Sequence, residues 1–486
     1  MTHHQDSLEL WKKYGEYLLM AMPYGDGLIT EASGCILHDA DRNELLDLAA
    51  GQFCAILGHN HPALVNRITD QVQKVMHTGT EFLSPIVLEA AEKFASVAPG
   101  DLRKSILFST GTEANECAIG LAKLFTGKTG IVGFDRGYYG LSLAAKSVSS
   151  IFARKKHLDA NPPVPGSYRL LAPHCFHCPV RTHYPECDLR CLEISADAIL
   201  NNRDDLAAII VEPILSAGGM IVPPPGYLKA LKKLAEEREA LLIVDEAQTG
   251  FGRTGRWFAI EHHDVVPDIL VVSKGAGGGF PVSAVITNDR IAHRVIDRGF
   301  GHLASHQSDP LGAAALATVI DVVREEGLIE RAATLGQYFL ERLLGLQAKH
   351  PVIADVRGQG LMLGMEIAAS SKRPEDSAKL ALLICGLCKR SGVHFTYTYF
   401  EPVFRFIPPL TISREQIDRA IDVLDGAIAT ALSGKAHLEQ VMPTNPFTQS
   451  YLRGSGGMYT PSRIAKRLYE TSPEYWLRKL AEISKR

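Results

Sequence analysis

The chain has 486 residues, more than one small core needs, so two or more domains are expected. Apolar residues make up 46% and charged residues 22%, an ordinary globular composition, and a net charge of −3 argues for neither nucleic acid nor a membrane surface as partner. The start lacks the basic-then-apolar order of a signal peptide. The longest apolar stretch, 269–286, contains Lys274, glycines and Pro281, and nine cysteines do not make a secreted framework, so a cytoplasmic enzyme is expected.

Residues 7–19 predict an amphipathic helix, with Leu8, Leu10, Trp11 and Tyr14 near one face. Residues 32–48 alternate short strand patterns with Asp-rich turns. The segment Ala50-Gly51-Gln52-Phe53-Cys54-Ala55-Ile56-Leu57-Gly58-His59-Asn60-His61-Pro62 follows, and Pro62 suits the start of a helix over 63–76. His59 and His61 have the chemistry of metal ligands, but beside a turn such a pair reads better as capping residues.

Residues 104–108 predict a strand, followed by Ser109-Thr110-Gly111-Thr112-Glu113-Ala114-Asn115-Glu116 and a periodic run over 117–125. This is strand, glycine turn, hydroxyl, helix. The first amides of a helix lack internal partners and sit at its positive end, so an anion is favoured there. Thr112 is placed to cap the helix and to donate to a phosphate oxygen. The next strand, 131–134, runs into Asp135-Arg136-Gly137-Tyr138-Tyr139-Gly140, where glycines bring an aromatic ring close to backbone, as a stacking platform for a flat cofactor requires.

Residues 150–192 show little regular pattern and hold Cys175, Cys178, Cys187 and Cys191. The first pair has zinc-like spacing. Either a structural site pins this insert or the thiols are unbound, and no metal ligand is assigned.

Residues 206–211 form another apolar run, ending at Glu212. A charged amphipathic helix over 227–238 returns the chain to the run 241–244, which ends on Asp245, a βαβ unit. The sequence Glu246-Ala247-Gln248-Thr249-Gly250-Phe251-Gly252-Arg253-Thr254-Gly255 follows. The run 268–273 then ends on Lys274 and Gly275-Ala276-Gly277-Gly278-Gly279. Taken singly, Lys274 is a loop residue and Asp245 a cap. Together, with Gly111, Tyr138 and Glu212 at equivalent strand ends, they place an anion site, a stacking ring, an acid and an amine on the edge of an α/β sheet where ligands bind. A lysine to form a Schiff base and an acid to keep a pyridine nitrogen protonated are what pyridoxal phosphate needs. The glycines after Lys274 do not have dinucleotide-fingerprint spacing, which argues against an oxidoreductase.

His306-Gln307-Ser308-Asp309-Pro310 precedes an alanine-rich helix over 311–325. Helical periodicity then dominates, broken by a strand-like stretch over 352–367 around Gly358 and Gly360. Arg405 lies inside the apolar strand 404–407, where its planar fork needs a carboxylate from the protein or from a substrate. A helix over 413–432 follows. The tail, 434–486, is rich in Lys and Arg, has an amphipathic pattern over 461–469, and is expected to pack on its own dimer.

The motifs at 109–116, 245–255 and 273–274 resemble the class III, or ω-type, pyridoxal phosphate-dependent aminotransferases of fold type I, and the likeness runs from about 27 to 432. It implies a large α/β domain with a mainly parallel sheet (66–324, insert at about 150–192). A smaller α+β domain would be built from both chain ends (1–65 and 325–433), with the basic extension 434–486 outside it. It implies a homodimer with shared active sites. Lys274 would link to the cofactor and shuttle the proton. Asp245 would bind the pyridine nitrogen, Gln248 the phenolic oxygen, Gly111 and Thr112 the phosphate, and Tyr138 the ring face, with Glu212 in the same pocket. Ser305 would reach the phosphate of the other subunit.

Within the family the sequence is most similar to the 2,2-dialkylglycine decarboxylases, through Gly51-Gln52, Leu57-Gly58-His59, Glu212-Pro213-Ile214-Leu215-Ser216, Ser308-Asp309-Pro310 and Val403-Phe404-Arg405. By that likeness Gln52 lies near the scissile carboxylate and Arg405 holds a substrate carboxylate. Two positions depart from it: Tyr138 stands for a tryptophan, and Ala217 for a serine of the carboxylate site. Transamination from an amino acid or amine donor to a 2-oxo acid is therefore expected ahead of decarboxylation-dependent transamination. Racemases and phospho-lyases share the scaffold.

Overall fold

The computed structural model describes residues 6–19, 24–79, 81–150, 163–201, 203–370, 374–398, 402–445 and 448. The predicted helix at 461–469 lies outside them. Three sheets carry the described strands. The first runs β1 (Ile29–Ser33), β2 (Ile36–Asp39), β3 (Glu44–Asp47), and is closed by a late strand introduced below.

The second sheet is the body of the molecule. Its strands are β4 (Lys104–Phe108), β5 (Gly130–Phe134), β6 (Ser167–Leu170), β7 (Leu206–Val211), β8 (Leu241–Asp245), β9 (Ile269–Val272) and β10 (Ser283–Thr287), in the spatial order β4-β10-β9-β8-β7-β5-β6. Every residue of β5, β7, β8, β9 and β10 is buried. That is why these strands read as unbroken apolar runs: both faces are covered. Each large aliphatic side chain so buried contributes about 1.5–3 kcal/mol. Pairs β5–β6, β5–β7, β7–β8 and β8–β9 are parallel, whereas β10 is antiparallel to both β9 and β4. Two reversals cancel, so β4 runs the same way as β9.

Two strands of this sheet escaped the sequence reading. β10 sits at the end of one long apolar stretch, shortly after Lys274, a run of glycines and Pro281. β6, with pattern Ser-Tyr-Arg-Leu, is a partly exposed edge strand. The stretch 150–192 is thus more regular than expected, since it holds β6 and the first residues of a helix at Arg190–Leu200. The N-terminal helix is shorter than expected: the α-helix ends at Tyr14 and continues as a tight 3₁₀ turn to Tyr17.

The third sheet contains β11 (Ile353–Gln359), β12 (Met362–Ile367), β14 (Thr396–Tyr397) and β15 (Val403–Phe406), in the order β11-β12-β15-β14. β13 (Val393–His394) instead pairs in parallel with β3, Val393 opposite Leu46. One sheet is therefore made from residues far apart in sequence. Among the described residues, no helix is long and apolar enough to cross a membrane.

Candidate active site

Because β4, β5, β7, β8 and β9 all point the same way, their carboxyl ends share one edge. Gly111, Tyr138, Glu212, Asp245 and Lys274 all follow those ends. The helix Gly111–Thr126 packs back on β7, β9 and β10. Its start lies against the residue before Lys274: a Cβ on Gly111 would sit 3.1 Å from the Ser273 Cβ.

Asp245 is 4% exposed and both its oxygens are held. Oδ2 accepts from Asn115 Nδ2 at 2.7 Å and Oδ1 from Ala247 N at 2.9 Å. Asn115 also donates to the Tyr139 carbonyl at 2.8 Å, so two bonds fix its amide. Sequence reasoning gave Asn115 no role. The available signal was an asparagine on the buried face of an apolar helix, which is costly unless bonded.

Glu212 accepts from Tyr138 N at 2.8 Å. Burial, and next the nearby Asp245, push its carboxyl up to about 8. Burial likewise pushes Asp245 above the ordinary carboxylate range, against the pull of Lys274 and the bonds from Asn115 and Ala247. The Lys274 charge acts on both carboxyls and on the Cys54 thiol, so the amine lies close enough to influence all three. Lys274 itself has φ 45°, a left-handed backbone that costs a lysine on the order of 1 kcal/mol or more, and such strain collects at functional sites.

Two buried carboxyls facing one amine make a pocket that favours a further cation. A protonated pyridine ring supplies one. The other end fits a phosphate: the helix at Gly111 begins from Thr110 without a side-chain cap, leaving its first amides for an anion. Thr112 does not cap this helix, contrary to the sequence expectation. It is the second residue of the helix, and its hydroxyl lies 2.6 Å from Ser142 Oγ and accepts from Leu141 N and Ser142 N at 3.1 Å each. The loop can approach only because Gly140 has φ 133°; a Cβ there would fall 2.2 Å from Thr112 Oγ1. Gln248 Oε1 is buried without a hydrogen-bond partner among the described residues, as an amide waiting for a ligand would be. These features fit pyridoxal phosphate.

The remaining residues form a rim. Ala50, Gly51, Gln52 and Phe53 all have positive φ, a left-handed turn no sequence pattern announced. Asp47 holds it by accepting from Ala49 N at 2.8 Å and Gly51 N at 2.7 Å, and His59 Nε2 lies 2.9 Å from the same carboxylate. His59 is thus a bracing residue, as expected, and His61 pairs with Glu326 instead at 3.1 Å. Gln52 is exposed on the turn while Phe53 is buried, with its ring 4.8 Å from the Arg405 guanidinium carbon. Phe53 therefore packs this turn against Arg405, which is far away in sequence. Ala217 lies in the buried loop after β7, beside Gly218, whose carbonyl accepts from Arg136 at 3.2 Å. Ser305 is exposed in a turn tied to β4 by the bond from Ser308 N to Leu107 O at 3.0 Å.

A sequence profile described as aminotransferase class-III matches residues 21–428. The chain belongs to the class-III aminotransferases. It is 39% identical to an uncharacterized aminotransferase of Schizosaccharomyces pombe, over 87% of this chain and 95% of that one. It is 31% identical to a leucine/methionine racemase of Thermococcus litoralis, over 85% of this chain and 93% of that one. The solved structure of a thermostable (S)-enantioselective omega-transaminase from Thermomicrobium roseum superposes with a TM-score of 0.81 at 30% identity, covering 88% of this chain and 99% of that one. The fold is that of this family, fold type I.

Proposed function

We propose that this class-III aminotransferase moves an amino group from a carboxylate-bearing donor to a 2-oxo acid, with pyridoxal phosphate held on the edge of the large sheet. The observation that carries the reading is the floor itself: Asp245 clamped by Asn115, with Lys274 acting on both Asp245 and Glu212. When bound, the cofactor supplies an electron sink for the bond broken at the substrate Cα. Asp245 holds a proton at the ring nitrogen. Gly111, Thr112 and the helix start bind the phosphate, Tyr138 covers the ring, and Gln248 meets the phenolic oxygen. Lys274 Nζ would hold the cofactor and would carry the proton to and from the substrate Cα. Arg405 orients the donor carboxylate, with Gln52 beside it.

The exposed Ser305 turn supports a homodimer in which one subunit completes the phosphate site of the other. The two-ended sheet supports a small domain made from both chain ends around a large domain at 66–324.

The racemase relative motivates a second reading, since racemisation uses the same proton transfer without handing the amino group on. A donor panel decides, scored for keto product, carbon dioxide and inversion of an enantiopure amino acid. Transamination predicts keto product beyond one equivalent per active site only when a 2-oxo acid is present, formed faster than the other two outputs. Inversion outrunning keto formation for every donor would make the racemase reading the better one.

A further inference from the structure

The cysteine insert is absorbed by none of this chemistry. Among the described residues all nine cysteines are free thiols, and four of them, Cys175, Cys178, Cys187 and Cys191, line one hollow of about 10 Å³. That is room for a single ion or water. Each pair is presented by a turn. Arg181 N donates to the Cys178 carbonyl at 3.1 Å, and Thr182 N donates to the Cys178 sulfur at 3.4 Å. An N–H aimed at sulfur stabilises the thiolate, the form that ligates metal. Arg190 N closes the second turn on the Cys187 carbonyl at 3.0 Å, through left-handed Asp188 and Leu189 with φ 44° and 58°. It delivers Cys191 into the first turn of the helix Arg190–Leu200, on the wall of the same hollow.

We propose that Cys175, Cys178, Cys187 and Cys191 bind one zinc ion, a structural site distinct from the cofactor pocket. Four sulfurs at Cys-x2-Cys and Cys-x3-Cys spacing suit a closed tetrahedral zinc, and oxygen-seeking calcium or magnesium would refuse them. Binding exchanges the thiol protons for the ion and transfers no electrons. The sulfurs are spread more widely than the neighbouring His174, His177 and Glu366 group, whose ligand atoms lie within 4.8 Å of one another, so the ion draws the two turns together.

The site has something to hold in place. His177 Nε2 lies 2.5 Å from Glu366 Oε1 on β12, and Arg357 Nη1 lies 2.9 Å from Glu366 Oε2. Arg357 Nε donates to the Gly219 carbonyl at 3.0 Å, and Tyr184 OH to the Pro225 carbonyl at 3.1 Å. The insert therefore leans on the loop that carries Ala217, Gly218 and Gly219. Zinc would fix the shape of that buttress and leave the chemistry to Lys274.

Metal analysis of the full chain, purified without added metal and dialysed against a chelator, tests this. One zinc per chain is expected. An organomercurial should release it in step with thiol modification, while the cofactor colour persists. Protein grown in cobalt should show tetrahedral thiolate ligand-field bands to the red of any cofactor absorbance. Cys175→Ser combined with Cys178→Ser should drop zinc to substoichiometric levels and speed protease cutting within the insert. Should that variant not fold, the metal content and mercurial release of the unaltered protein still decide. Stoichiometric iron in place of zinc, disulfides between these cysteines, zinc retained by the double variant, or metal-free protein whose four thiols titrate freely in the native state would each overturn the proposal.

Discussion

The floor of the candidate site and its rim are built by different means. The floor is the carboxyl edge of parallel strands buried on both faces. A residue that follows such a strand has little choice of position, because its strand is locked by neighbours on each side. The rim is assembled from a left-handed turn at 50–53, a loop after β7 and one arginine on a separate sheet. Only the arginine sits on a regular element, β15; the turn and the loop do not. The floor holds what every reaction at Cα needs, an anchor, an acid and an anion site. On the proposed reading the rim orients the substrate and so selects the bond that breaks. Changes to the floor should therefore abolish chemistry, and changes to the rim should redirect it.

The largest effect is expected at Lys274. Lys274→Ala should fold, bind cofactor without a covalent link, and lose turnover with every donor. Borohydride reduction of the unaltered protein followed by peptide mapping should label Lys274; label on any other lysine removes it from this role. The same variant tests the dimer. Mixed with Ser305→Ala under conditions of proven subunit exchange, it should form heterodimers with one complete site, and activity should exceed the mean of the two parents. Activity at that mean would place Ser305 outside the partner's site.

Asp245→Asn should keep the cofactor yet slow every reaction on the order of a hundredfold or more, because a neutral amide cannot hold a ring proton. Asn115→Ala should act more gently, roughly tenfold, through Asp245. Its bond favours the ionised carboxylate, so its loss raises the Asp245 pKa further. Activity requires the carboxylate and is present above that pKa. The acid limb of kcat/KM should therefore move to higher pH, with the alkaline limb unmoved. An unshifted acid limb with a uniformly lower rate would make Asn115 a packing residue only.

The contrast between floor and rim also explains what could be read from sequence. Apolar runs ending on Asp245 and Lys274 announced both strands and positions, since burial on two faces leaves no other pattern. Arg405 stood out because a charge inside an apolar strand needs a reason. Asn115 was hidden because its partner lies 130 residues away. The left-handed turn was invisible because only Gly51 in it favours positive φ, and the Asp47 bonds to Ala49 N and Gly51 N that brace it come from outside the turn. Thr112 was misassigned as a cap because the hydroxyl pattern does not tell which residue begins the helix. The packing of Phe53 against Arg405 is a tertiary fact that no local pattern encodes.

On the rim, Arg405→Gln should raise KM for carboxylate-bearing donors on the order of tenfold to a hundredfold, the worth of a charge-assisted pair. Donor amines lacking a carboxylate should be affected much less, and kcat should change less than KM. Equal losses for both donor types would show that Arg405 serves the fold rather than the substrate.

The smallest effect, and the one that bears most directly on reaction choice, is expected at Ala217. Arg405 offers a charged, two-pronged contact, so it should take the donor α-carboxylate and leave another substituent of Cα in the cleavage position. A carboxylate in that position would find the neutral Gln52 and, at Ala217, no hydroxyl. It should be held poorly, and C–H cleavage should outrun C–CO2 cleavage with ordinary donors. Ala217→Ser restores one donor in a buried loop. A single neutral hydrogen bond is worth about 1 kcal/mol, so carbon dioxide release from an α,α-dialkyl amino acid should rise severalfold. Keto formation from donors with an α-hydrogen should stay within about twofold. The measurement is carbon dioxide against keto product, in both proteins, with 2-aminoisobutyrate and with an ordinary amino acid. If the unaltered protein already releases stoichiometric carbon dioxide from 2-aminoisobutyrate faster than it transaminates any α-hydrogen donor, the rim supports the opposite choice, and Gln52 alone suffices to hold the departing carboxylate.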